Sequence, residues 1–99
     1  ELLETRVMAS DPERAKEGLR RYKDVANACL GKDDATVAEL VEWIEDLVAF
    51  CGVPKLSTFG MKDEDVADSV VKSMQSSSMK GNPVALTAEE LELMLRNAM

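Results

Sequence analysis

Apolar positions along this 99-residue chain recur at helical spacing rather than in strand alternation. Ala15, Leu19, Tyr22, Ala26 and Cys29 follow one another at alternating four- and three-residue intervals, which puts them on one face of a first helix. Ser10 or Asp11 stands where a cap is needed, and Pro12 suits a first turn whose N–H has no intrahelical acceptor. Gly31 can adopt the left-handed conformation that stops a helix, and Lys32-Asp33-Asp34 then form a polar connection.

A second helix opens at Thr36, with Glu39 as its capping-box partner. Val37, Leu40, Val41, Ile44, Leu47, Val48 and Cys51 share a face, and Trp43 and Phe50 widen it beyond a narrow stripe. So broad an apolar surface predicts a helix at the centre of the core, surrounded by others. Gly52 ends it, and Val53-Pro54 lead away in extended form. Leu56 to Met61 reads as a compact turn, with Phe59 as its expected anchor in the core. A third helix is expected from about Asp63 to Ser76, with Val66, Ala67, Val70, Val71 and Met74 inward and its acids at the positive end of the helix dipole.

The last quarter gives a rigid corner. Ser76-Ser77-Ser78 run into Met79-Lys80-Gly81-Asn82-Pro83, where Pro83 holds Asn82 out of the helical region. Thr87 and Glu90 form another capping box, and Leu91, Met94, Leu95 and Ala98 stripe a terminal helix. Val84-Ala85-Leu86 is too short to build a sheet. The pattern predicts an all-α fold of four to five helices with short connections, one small domain over residues 1–99.

Charge narrows the partners. The formal net charge is −7 and there is no histidine. Phosphate binding needs clustered Lys and Arg, whereas the basic residues of ERAKEGLRRYKD are interspersed with acids, so nucleic acid is not expected. No apolar run approaches the roughly 20 residues that span a bilayer. The opening run ELLETRVMAS lacks the basic start and continuous apolar stretch of a signal peptide, and it begins with Glu1 rather than Met. A piece of a longer cytoplasmic protein is the expectation. Cys29 and Cys51 are expected as free thiols buried as small hydrophobes.

Three stretches in order carry a resemblance. Cys51-Gly52-Val53-Pro54-Lys55-Leu56-Ser57-Thr58-Phe59-Gly60-Met61 resembles a "GIP-x-L-x-x-[FLIY]-G-[VM]" turn, and Asp63-Glu64-Asp65 resembles the "EED" helix start that follows it. With the corner SSSMKGNP and the capped helix after it, the series is similar to the carboxyl-terminal end of the iron-containing (group III) alcohol dehydrogenases. It covers roughly Val37 to Met99; the amino-terminal third fits as a helix ending in Leu30-Gly31. Two departures stand out. Val84 follows the proline where many relatives have arginine, and Lys62 stands where Thr or Ser usually caps the next helix.

The resemblance implies the C-terminal half of a dehydroquinate-synthase-like helical domain, with the cofactor domain outside this chain. The parent would interconvert alcohols and aldehydes or ketones with NAD(P) and a divalent metal, iron or zinc. Position for position, Ser78, Met79, Lys80, Gly81 and Asn82 would line part of the substrate cleft. The expected partners are the remainder of the parent chain, a small alcohol or carbonyl substrate, and a further copy in a homo-oligomer; neither nucleic acid nor membrane is among them. No residue here is assigned to catalysis, metal or cofactor, because histidine and a glycine-rich strand-to-helix turn are both missing. The isolated chain is expected to be inactive and to bind neither NAD(P) nor metal. Asp63, Glu64 and Asp65 lack the spacing of a calcium loop and read as a helix start. A second class is a stand-alone acidic helical interaction or carrier module. Asp68-Ser69-Val70 superficially matches the "D-S-L" modification site of acyl carrier proteins, but it lies inside a helical pattern with no loop before it.

Overall fold

The computed structural model describes residues 2–99, and every regular element among them is helical. The chain opens with a turn of π spacing, Leu3–Val7, that runs into the single turn α1 (Met8–Ser10). Then come α2 (Pro12–Leu30), α3 (Val37–Phe50), α4 (Asp63–Gln75) and α5 (Ala88–Ala98), with 3-10 turns at Leu56–Phe59 and Ser77–Gly81. The described residues up to Val53 form one compact unit and Pro54–Met99 a second.

The boundaries follow local chemistry. The Asp11 carboxylate accepts the Arg14 N–H at 3.1 Å, with Pro12 beginning the helix behind it. Gly31 stops α2 at φ 65°, in the left-handed region that side chains disfavour. At α3 the Thr36 hydroxyl accepts the Glu39 N–H at 3.2 Å, while the Glu39 carboxylate accepts the Thr36 N–H at 2.8 Å. Thr87 and Glu90 repeat this reciprocal pair at α5. The start of α4 has only one half of the pair. Asp65 accepts the Lys62 N–H at 2.8 Å, and the Lys62 ammonium has no acceptor to offer in return.

In the first unit, α2 packs on α3 through small residues. Ala26, Ala35 and Leu40 are buried together, with Leu30 against them. The Asn27 side chain closes the connection by accepting the Ala35 N–H at 2.9 Å. The opening turns lie along α2, where Val7 and Ala15 are buried. Tyr22 and Cys29, expected inward, are exposed, because the close Ala26–Ala35 contact presents only a narrow face of α2.

The second unit closes around branched and long side chains. Val66, Val70 and Leu91 are buried, with Met61, Met79, Leu86, Ala88, Leu95 and Met99 packed on them. Polar ties hold its ends. The Ser57 hydroxyl donates to the Met99 carbonyl at 2.8 Å, and Arg96 on α5 reaches Asp63 at the start of α4 at 2.9 Å.

Several expectations are corrected. The broad face of α3 does not occupy the centre of a core. Leu40 is buried, but Val37, Val41, Trp43, Ile44, Leu47, Val48 and Phe50 are all exposed, Ile44 at 45% and Phe50 at 89%. Within its unit α2 touches α3 along one edge near Leu40, and that edge is narrower than the apolar arc. Phe59 does not anchor the turn and is 75% exposed. Gly60, at φ 92°, redirects the chain so that Met61 reaches the Val66–Val70–Leu91 core instead. Ala67, Val71, Met74, Met94 and Ala98 are exposed, since the α4–α5 contact uses one line of each helix. Cys29 and Cys51 are free thiols, yet both are exposed rather than buried.

Candidate functional site

The run singled out by sequence begins where α4 stops. Ser76 caps the helix in extended conformation, and residues Ser77–Gly81 make a 3-10 turn that packs back on α4. The Ser76 and Ser78 hydroxyls lie 2.8 Å apart and share a hydrogen bond. The Asn82 N–H donates to the Met79 carbonyl at 3.2 Å, closing the turn. Asn82 itself is extended, at φ −65° and ψ 137°, as Pro83 requires.

The five residues do not share one environment. Ser78, Lys80, Gly81 and Asn82 are exposed. Met79 is half-buried and packs on the Val66–Val70–Leu91 core. The turn is therefore pinned by Met79, while its neighbours form an outward rim. A Cβ added at Gly81 would meet nothing within 4 Å, so the space beside the corner is open. Beyond Pro83, Val84 is buried and Leu86 half-buried, so the extended run contributes to the core on alternate residues. Val84 therefore serves packing here.

Charges near the corner are few. Lys80 is the only basic residue between Ser76 and Leu95. At the start of α5 the Glu89 carboxyl is held below its ordinary value, first by its own backbone N–H and then by the Thr87 hydroxyl. Stronger electrostatics lie in the first unit. Glu17 is lowered to about 2 by hydrogen bonds from Arg20 and then Arg21, and Glu39 to about 2 by Lys32 and then by the Thr36 backbone and hydroxyl. Both carboxylates are half-exposed on helix surfaces, where Glu17 bridges residues of α2 and Glu39 caps α3 and pairs with Lys32 ahead of it.

Among the described residues no three His, Cys, Asp or Glu side chains converge to hold a metal ion. Asp63 is turned to Arg96, Asp65 to the Lys62 N–H and Glu64 to the Lys62 ammonium, so the acidic helix start has cationic and amide partners. No strand occurs among the described residues to feed a glycine-rich phosphate turn. The residues present therefore do not fit the divalent metal or the dinucleotide that the resemblance implies. Ser69, the residue of the carrier-type match, is half-buried within α4, and no loop precedes it. Among the described residues no helix is long and apolar enough to cross a membrane.

Sequence reasoning missed the tie from Ser57 to Met99 and the reach of Arg96 to Asp63. Only the local half of the second has a sequence signal, the four-residue spacing of Glu92 and Arg96, which pair at 2.8 Å. Comparison with known proteins finds no family model, no curated protein and no solved structure that matches this chain.

Proposed function

We propose that this chain is the C-terminal part of the dehydroquinate-synthase-like helical domain of an iron-type, NAD(P)-dependent alcohol dehydrogenase. The observation that carries the reading is the ordered series Gly52-Val53-Pro54, Asp63-Glu64-Asp65 and Gly81-Asn82-Pro83 ahead of the Thr87 cap. Each member falls at a helix end or corner of the fold. The parent would oxidise small alcohols to aldehydes or ketones and run the reverse reaction. A divalent metal held elsewhere in such a parent would supply Lewis acidity to the substrate oxygen, and NAD(P) would serve as hydride acceptor. Its ligands and the dinucleotide site belong to the rest of the parent.

The contribution of this chain is positional. Met79 fastens the 3-10 turn to the α4–α5 core, so Ser78, Lys80, Gly81 and Asn82 form a fixed rim that would wall one side of the substrate cleft. A Cβ at Gly81 would meet nothing within 4 Å, which leaves room beside that wall.

The test is to express the longest polypeptide encoded around these residues and follow NAD(P)-dependent alcohol oxidation. Activity that chelation removes and ferrous or zinc ion restores is expected. Ser78→Trp should lower kcat/KM more for long alcohols than for short ones, while Leu91→Ala lowers the folded fraction and spares activity per folded molecule. A parent inactive on every alcohol with both nucleotides and both metals would overturn the assignment. An unaltered kcat/KM across the series in Ser78→Trp would remove the cleft role alone.

A further inference from the structure

All but one of the six methionines lie in the second unit, at Met61, Met74, Met79, Met94 and Met99. They fall into two groups. Met74 on α4 and Met94 on α5 are 53% and 57% exposed and take no part in the core cluster. Met61, Met79 and Met99 are half-buried and pack on Val66, Val70 and Leu91. None of these three stands on α4 or α5: Met61 lies ahead of α4, Met79 in the 3-10 turn that follows it, and Met99 beyond α5. One thioether thus fastens the segment before, between and after the two helices to a shared core.

Such a side chain is apolar only while its sulfur is reduced. A hydroperoxide converts it to the sulfoxide: the sulfur lone pair forms an S–O bond as the O–O bond breaks, and the sulfur loses two electrons. The proton on the transferred oxygen passes to the departing one, which leaves as water when the oxidant is hydrogen peroxide. The product is a polar hydrogen-bond acceptor packed against valine and leucine. Among the described residues no polar or charged side chain is buried, so the core offers this acceptor no side-chain donor. An acceptor buried without a donor is destabilising, so the oxidised side chain moves towards water and its segment leaves the core with it.

We propose that Met61, Met79 and Met99 make the second unit a peroxide-responsive switch. Oxidation of these thioethers frees the flanking segments, the Ser77–Gly81 turn among them, and loosens α4 from α5. A dithiol reductant restores the packing, its two thiols becoming a disulfide while the sulfoxide oxygen leaves as water. Met74 and Met94 take up oxygen without structural consequence, because neither packs on the core. The switch rests on contacts within one unit and not on the dehydrogenase reading.

Titrating the 99-residue chain with hydrogen peroxide tests it, with peptide mass mapping to place each sulfoxide and circular dichroism to follow melting. Sulfoxide at Met74 and Met94 alone should leave the melting temperature unmoved. Conversion of Met61, Met79 and Met99 should lower it by about 5 °C or more. Methionine sulfoxide reductases for both epimers, with dithiothreitol, should restore it; dithiothreitol alone should not, which separates the effect from disulfides of Cys29 and Cys51. The triple variant Met61→Leu, Met79→Leu, Met99→Leu keeps the apolar volume and should hold its melting temperature through the same dose. Met79→Leu alone, a single core change, should lessen the fall, and Met74→Leu with Met94→Leu should leave it as in the unaltered chain. An unmoved melting temperature with all three sulfoxides in place would overturn the proposal. So would a fall in the triple variant as large as in the unaltered chain, a fall that the reductases leave in place, or resistance of Met61, Met79 and Met99 to peroxide in the folded chain.

Discussion

The two units of this chain are both helical pairs, yet they solve the burial problem differently. The second surrounds Val66, Val70 and Leu91 with three methionines, two leucines and an alanine drawn from α5 and from the segments before, between and after the two helices. The first buries mainly alanines, at Ala15, Ala26 and Ala35, and leaves the apolar side of its strongest hydrophobic helix facing outward. Small residues allow a close helix contact but remove little apolar area from water, and burial scales with that area. A unit built this way depends more on caps and ion pairs than the other does.

The largest expected effect is in the second unit. Leu91→Ala should cost about 2–5 kcal/mol through lost transfer energy and a cavity. A thermal melt followed by circular dichroism would show the α4–α5 pair lost well before the rest. A melt that does not move would mean that the core around Val66 does not hold this unit together. In the first unit the vulnerable feature is the absence of space. Ala26 has no accessible surface, so Ala26→Leu should cost about 1–3 kcal/mol by forcing α2 and α3 apart. A stabilising effect in the same melt would show that the α2–α3 contact is loose.

Acid separates the units more gently. The Glu17 and Glu39 carboxyls are held at about 2 against an ordinary 4.5. A depressed folded-state value stabilises the fold fully above the ordinary value and loses that stabilisation as pH falls through the folded one. The first unit should therefore weaken as pH drops from 4.5 towards 2, and salt should blunt the effect because both half-exposed pairs reach solvent. The paired variant Glu17→Gln, Glu39→Gln should flatten this slope in an acid titration monitored by circular dichroism. An unchanged slope would assign acid sensitivity to other carboxylates.

Smallest of all is the expected cost of Ile44→Ala in the 99-residue chain. A buried isoleucine in a central helix would lose several kcal/mol, but solvent already reaches this side chain and no closed cavity can form. Loss below about 1 kcal/mol is expected, offset in part by the better helix propensity of alanine. A drop as large as that of Leu91→Ala would show that α3 is covered after all.

What the sequence disclosed and what it hid divide along the same line. Caps and stops are local chemistry, so Asp11, Gly31, Thr36 with Glu39, and Thr87 with Glu90 were legible from neighbours a few residues away. The corner at Asn82-Pro83 was legible for the same reason. Which apolar face meets which is not local. The α3 pattern states that its face is apolar, not which element of its own unit reaches it. Phe59 was misplaced because Gly60 reverses the chain after it and gives its position to Met61. In the candidate rim, residues 78–82 came from the family resemblance alone, and only the three-dimensional packing separates Met79, which faces the core, from the exposed residues beside it.

The uncovered state of α3 is the central claim, and amide hydrogen exchange on the 99-residue chain tests it most directly. Helices that close a core exchange only through large openings, whereas a helix held along one edge opens locally at lower cost. The α4 amides around Val66 to Val70 should show the strongest protection, and those of α3 from Ile44 to Phe50 should exchange faster by about tenfold or more. Equal protection of the two segments would contradict the account.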